Sequence, residues 1–260
     1  MSLKKKIVAV PEKFSELLSK IRDVSAISDT VKLKISNKHI LLYSVASTDS
    51  FITALKSFTL NTSEYFQNFE IDKDSLDFII SPASKLVKGL SFFDSSHPIH
   101  LDTIYKESAA FQNTYEIRTI QFSNNKLKIS SVSSENSQIR DLTQKTLDQK
   151  LDPKLSKWGF KLSAPDLNAI KKLSQINIDD RVISINLEGG VVKVSELGKW
   201  ELEVDNVSDK KNHQISFLKK YLGSIDTNFD WVDLWIFETF VLVKGYNSNL
   251  MLSYEQDFSD

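Results

Sequence analysis

The chain has 260 residues, 41% of them apolar, and a net charge of −1 from 33 basic and 34 acidic side chains. That length holds two ordinary domains, each with its own core, and the balanced charge argues against tight, static nucleic-acid binding, which rests on many phosphate-neutralising lysines and arginines. There is no cysteine, so disulfides, thiol nucleophiles and cysteine metal sites are excluded and a reducing compartment fits.

The first six residues carry lysines with no long apolar run behind them, so no signal peptide is expected. No stretch nears the ~20 apolar residues that a membrane helix needs. A soluble intracellular protein with no membrane partner is expected.

Residues 11–24 place Phe14, Leu17, Leu18, Ile21 and Val24 at helical spacing behind Pro11. Val31, Leu33 and Ile35 then alternate, Asn37-Lys38 makes a turn, and Ile40, Leu42 and Val45 return as the second arm of a hairpin. Strand-like segments follow at 51–60 and 65–71. A second helix is expected over 82–93, with Ser81-Pro82 as its start and Leu86, Val87, Leu90 and Phe93 as its stripe; Gly89 inside it costs about 1 kcal/mol relative to alanine. Strands are expected at 99–104, 115–123 and 127–132, with a turn at Asn124-Asn125.

Residues 133–157 are rich in Ser, Gln, Lys and Asp and hold no period. The expected organisation is a domain over 1–140, a linker over 141–158 and a second domain over 159–260. The second half repeats the order of the first. Ser163-Ala164-Pro165-Asp166 opens a helix over 165–176 with Leu167, Ile170 and Leu173 as its stripe. A hairpin turns at Glu188-Gly189-Gly190, and 200–204 is another strand. A fourth helix is expected over 216–222, carrying Phe217, Leu218, Tyr221 and Leu222 and stopped by Gly223. Strands over 231–237, 240–246 and 250–254 close the chain. The fold class is α+β: two similar domains, each with two helices packed on antiparallel sheet.

Catalytic signals are weak. His39, His97, His100 and His213 are scattered without a carboxylate cluster, and Asp179-Asp180 reads as a solvated turn. Gly189-Gly190 lacks the lysine and following helix of a phosphate loop and reads as a hairpin turn. No enzyme activity, metal or cofactor is expected. The stronger pattern is basic. Lys85/Lys88, Lys171/Lys172 and Lys219/Lys220 lie on three helices away from their apolar stripes, although any one such pair is ordinary solubility chemistry. The first helix departs from the pattern: Glu12, Glu16 and Asp23 lie on its outermost face, with Lys13, Lys20 and Arg22 at the flanks.

The order of elements resembles that of the sliding clamps, the DNA polymerase processivity factors, and most closely the T-even-phage type. The likeness spans nearly the whole chain. It is carried by Asp77-Phe78-Ile79-Ile80-Ser81-Pro82 running into 86–93, by Lys161-Leu162-Ser163-Ala164-Pro165-Asp166-Leu167 followed by Ile178-Asp179-Asp180-Arg181-Val182-Ile183-Ser184-Ile185, and by Leu252-Ser253-Tyr254-Glu255-Gln256-Asp257-Phe258.

The resemblance implies a homotrimeric ring closed head-to-tail, with helices lining a hole for double-stranded DNA of any sequence. It implies a DNA polymerase and a clamp loader as partners in viral DNA replication, in the cytoplasm of a bacterium infected by a bacteriophage. The lining residues would be Lys85, Lys88, Lys171, Lys172, Lys219 and Lys220, joined by Lys20 and Arg22. Val45, Leu147, Leu151, Leu252 and Tyr254 would contribute to a pocket for a partner's peptide. The alternative is a two-domain interaction scaffold that encircles no DNA.

Overall fold

The computed structural model describes residues 3–48, 51–93, 97–109, 112–134, 141–176, 182–196, 199–226, 229–245 and 247–254. Asp179-Asp180, Ile178, Arg181 and the acidic tail 255–260 lie outside the described residues. The chain divides into two compact units: Met1–Val45 with Lys56–Gln144, and Ala46–Leu55 with Lys145–Asp260. The second unit therefore draws ten residues from within the first half of the sequence.

Unit 1 opens with β1 (Leu3–Ala9), a strand that the lysine-rich start concealed, and α1 (Pro11–Ser25). Then come β2 (Val31–Ile35), β3 (His39–Ser47) and β4 (Ile52–Asn61). Residues 65–71, expected as a strand, are mostly not one. Asn61 accepts a hydrogen bond from the Ser63 amide and caps the short α2 (Thr62–Tyr65), leaving β5 (Phe66–Gln67) as a two-residue strand. After it come β6 (Ser75–Ile80), α3 (Ala83–Leu90), β7 (Ile99–Glu107), β8 (Thr114–Ser123) and β9 (Lys128–Val132).

In unit 1 the strands run in the order β4, β3, β2, β6, β8, β7, β1, β5, with β9 also on β8. Pairing is antiparallel except for a short parallel stretch between β6 and β8. One face of this sheet packs under α1 and α3. Phe14, Leu17, Leu18, Ile21 and Val24 from α1 meet Leu86, Val87 and Leu90 from α3 over Val31, Leu33, Ile35, Phe58 and Phe78. The start of α3 corrects the sequence reading. Ser81 is not its cap. The Asp29 carboxylate reaches across and accepts from the Ser84 amide at 2.7 Å, while Ala83 N–H donates to the Asp29 carbonyl.

Unit 2 contains most of α4 (Gln144–Lys150) and a one-turn 3₁₀ helix, Pro153–Leu155, inside the segment expected as a structureless linker. Leu147 and Leu151 are buried there, so this stretch is packed. Then follow β10 (Trp158–Ser163), α5 (Ala164–Ile176), β11 (Val182–Glu188), β12 (Val191–Glu196), β13 (Trp200–Asn206) and β14 (His213–Leu218). The start of α5 matches its signal: the Asp166 amide donates to the Ser163 hydroxyl at 3.1 Å.

The expected fourth helix is corrected. Residues 216–218 are the end of β14, pairing through Phe217 with Ile183 of β11, and only Lys219–Ser224 coil, as a 3₁₀ helix. Alternation in 213–218 wins over the helical spacing of Phe217, Leu218, Tyr221 and Leu222 because β11 offers an edge to pair with. Strands β15 (Trp231–Ile236), β16 (Phe240–Lys244) and β17 (Ser248–Ser253) complete the unit. One sheet runs β10, β15, β16, β17 and then the first half of β4; the other runs β13, β12, β11, β14. The bridge between Phe217 and Tyr254 joins them. Both units thus run in the order strand, helix, strands, helical element, strands, with α1 and α3 in unit 1 and α5 and the Lys219–Ser224 turn in unit 2 at matching places. Among the described residues, no helix is long and apolar enough to cross a membrane.

Candidate nucleic-acid interface and partner cleft

The helical elements decide which basic side chains are available. In α3 the buried face takes Ala83, Leu86, Val87 and Leu90, and Lys85 and Lys88 are exposed. In α1, Arg22 is exposed and Lys20 sets its ammonium 4.7 Å from the Phe58 ring centroid. The acidic residues of α1 are less dominant than the sequence implied. Glu16 accepts from Lys13 at 2.8 Å and from the Tyr65 hydroxyl at 2.7 Å, and these bonds hold its pKa below the usual carboxylate range. Glu12 remains exposed.

In unit 2 the same lysine pattern is partly spent. Lys172 is exposed, but Lys171 donates to the Ile225 carbonyl at 2.7 Å, and burial lowers its pKa against the opposing pull of Asp226. Lys219 pairs at 2.9 Å with Glu196, which is buried and also accepts from the Trp200 indole at 2.9 Å. Lys220 lies 4.9 Å from the Tyr221 ring centroid. Of the eight candidate lining residues, Arg22, Lys85, Lys88 and Lys172 are exposed and make no ion pair or side-chain hydrogen bond among the described residues. The pairing of Lys219 was invisible in the sequence because Glu196 ends a strand 23 residues earlier.

The residues expected to form a partner pocket fall in both units, Val45 in unit 1 and Leu147, Leu151, Leu252 and Tyr254 in unit 2. Leu147, Leu151 and Leu252 are core, and Val45 is half-buried where unit 1's first segment ends. Tyr254 alone borders a cleft, a space of about 490 Å³ within unit 2 lined by Trp158, His213, Ile215, Phe237 and Glu238 among others. Trp158 stacks on His213 with centroids 6.1 Å apart, and its buried indole N–H has no acceptor among the described residues. Lys157 and Glu238 pair across the rim at 2.6 Å, and the Tyr254 hydroxyl donates to the Phe237 carbonyl at 2.6 Å. Sequence reasoning missed this cleft because Lys157 and Trp158 were assigned to a linker. The alternation of Trp158, Phe160 and Leu162 was the available signal.

Among the described residues, no group of three His, Asp or Glu side chains is placed to hold a metal. No protein-family model and no curated protein matches the chain. Solved structures do match. A DnaN sliding clamp (DNA polymerase III subunit beta) from Pseudomonas aeruginosa superposes with TM-score 0.62 at 10% identity, covering 100% of this chain and 66% of that one. The PCNA2–PCNA3 complex from Sulfolobus tokodaii gives TM-score 0.62 at 11% identity over 98% of this chain and 99% of that one. Proliferating Cellular Nuclear Antigen from Entamoeba histolytica gives 0.58 at 16% identity over 97% and 98%. The fold is that of the DNA clamps. This chain spans two thirds of the bacterial clamp subunit and essentially the whole of the PCNA chains.

Proposed function

We propose that this chain is a sliding clamp: copies close head-to-tail around duplex DNA and tether a DNA polymerase to it. The observation that carries the reading is the clamp fold over the full chain, with Lys85, Lys88, Lys172 and Arg22 exposed on its helices. Encirclement needs only loose, sequence-independent phosphate contact, and a neutral chain with a few free cations suits sliding better than a strongly basic one. A homotrimer is the proposed ring, and a clamp loader and a phage-type replication system are its proposed setting. No chemical step is assigned to the chain itself.

The repeat supports closure. Within unit 2, β17 is flanked by β16 and by the first half of β4. Its counterpart in unit 1, β9, pairs only with β8 among the described residues; the counterpart of β4 in unit 2, β13, pairs only with β12. One copy's β9 and the next copy's β13 are thus the open edges that a ring would join. Lys128 lies at the start of the first, with Lys126 just before it, and the exposed Glu203 lies in the second, so these side chains carry opposite charge. The cleft beside Tyr254 is the proposed seat for a polymerase peptide.

The deciding experiment loads the protein onto nicked circular DNA and follows retention before and after the circle is cut. Release on linearisation, together with longer products from a cognate polymerase, is expected. Equal retention on both forms, or no change in product length, rejects the clamp. Replacing Lys85 and Lys88 with alanine should shorten retention more than replacing Lys171 and Lys219. Each free lysine removed should lower the slope of log affinity against log salt by about 1. Equal effects of the two pairs would show that the internal bonds of Lys171 and Lys219 do not withhold them from DNA.

A further inference from the structure

Strand β2 is buried on both faces, although its sequence alternates apolar and lysine residues. Val31, Leu33 and Ile35 face the helices. Lys32 and Lys34 point the other way, where their side chains are 0% and 9% exposed. Asp77 of β6, 1% exposed, approaches them at 3.2 and 3.5 Å. Two ammonium groups thus share the Asp77 carboxylate, and buried charge is costly unless it is paired and hydrogen-bonded.

A second carboxylate comes from outside the sheet. Asp141 Oδ1 accepts from both Lys32 and Lys34 at 2.7 Å, and its side chain is only 18% exposed. Burial alone would raise the Asp141 pKa; the hydrogen bonds from Lys32 and Lys34, with their charges, more than offset it and hold the group below its usual range. The following residues continue across the same face. Leu142 N–H donates to the Tyr43 hydroxyl on β3 at 3.0 Å, and Thr59 on β4 donates to the Gln144 side-chain oxygen at 2.7 Å. Ser57, also on β4, keeps a buried hydroxyl there with no hydrogen-bond partner among the described residues.

We propose that Lys32 and Lys34 form a carboxylate-binding seat on the outer face of unit 1, and that Asp141 fills it in cis, clasping residues 141–144 to the sheet as the chain leaves that unit. The ligand class is a small carboxylate. Sequence-local forces do not hold the segment: its anchors are 85 to 109 positions away along the chain. The seat stands whether or not the chain encircles DNA.

The test is chemical rescue. Asp141→Ala should lower Tm by roughly 5–15 °C, because it removes one partner from a buried ion cluster. It should also speed amide exchange in a peptide covering 141–144 by about tenfold or more. Sodium formate, compared with sodium chloride at equal ionic strength, should recover about half of the lost Tm in Asp141→Ala and nothing in the unaltered protein. Lys34→Met/Asp141→Leu, which removes one charge of each sign, should fold and give no formate response. Should Asp141→Ala not fold, Asp141→Asn should still show the faster exchange. The proposal is overturned if formate does no better than chloride in Asp141→Ala, if the charge-neutral double variant responds equally, or if exchange at 141–144 is unchanged.

Discussion

The two units repeat one plan and use it differently. In unit 1 the helix that follows β6 is α3, eight residues long, with Lys85 and Lys88 exposed; in unit 2 the helical element that follows β14 is a 3₁₀ turn whose Lys219 is tied to Glu196. Unit 1 buries a Lys32–Lys34–Asp77–Asp141 cluster behind its sheet, and unit 2 buries the Glu196–Lys219 pair beside its turn. The same order of elements therefore does not assign equivalent roles to equivalent lysines. What a lysine can do depends on whether a buried acceptor lies within reach, and the strands decide that.

The largest effects should come from the helical cores. Leu90 and Leu222 are both buried, and alanine at either should cost about 2–5 kcal/mol in urea unfolding. Leu90 should lie toward the upper end, because a regular helix cannot settle into the void as a short 3₁₀ turn can. Equal losses, or a larger loss at Leu222, would remove this distinction between the units.

The glycines offer a smaller contrast. A Cβ on Gly159 would fall on the Trp235 ring and within 2.9 Å of the Leu234 carbonyl oxygen, so Gly159→Ala should destabilise by about 1–3 kcal/mol. A Cβ on Gly89, inside α3, would meet only the Ile129 side-chain tip at 3.3 Å. Gly89→Ala should therefore change stability by less than about 1 kcal/mol, with helix propensity favouring alanine. Thermal unfolding of the two variants side by side checks both signs.

The smallest difference is silent at neutral pH. Asp141 and Glu16, both in unit 1, have folded-state pKa values below their unfolded ones. Their contribution is fully present above the unfolded values, near pH 4, and is lost as pH falls through the lowered folded values. Amide exchange followed from neutral pH into acid should show unit 1 loosening before unit 2. Asp141→Asn should flatten the acid limb for unit 1 alone. Loosening of both units together would mean that these carboxylates do not govern it.

Much of the fold could be read from periodicity. The stripes of α1 and α5 and the hairpins built on β2–β3 and β11–β12 appear where the apolar spacing put them. Strand β1 was missed because Lys4, Lys5 and Lys6 hide its alternation, which becomes regular only when it pairs with β7. The 3₁₀ turn was read as a helix because four apolar residues fit both periods, and only the partner strand chose between them. The cap of α3 lies 55 positions away at Asp29, and no local pattern encodes it. The candidate lysines could be picked from their helical spacing, but the bonds that engage Lys171 and Lys219 are tertiary. Alternation in β2 puts Lys32 and Lys34 opposite Val31, Leu33 and Ile35, but the carboxylate that bonds both lies more than 100 positions later.

The ten residues Ala46–Leu55 have a practical consequence for anyone who would cut this gene in two. A fragment starting at Lys145 carries every strand of unit 2 except the one that covers β17. Such a fragment would display a bare apolar edge, with Leu250 and Leu252 beside it, and should self-associate or precipitate. Adding a synthetic peptide of sequence 46–55 should keep it in solution. The two halves of the polypeptide are thus interlaced in sequence, and the smallest piece able to stand alone as unit 2 is not a contiguous one.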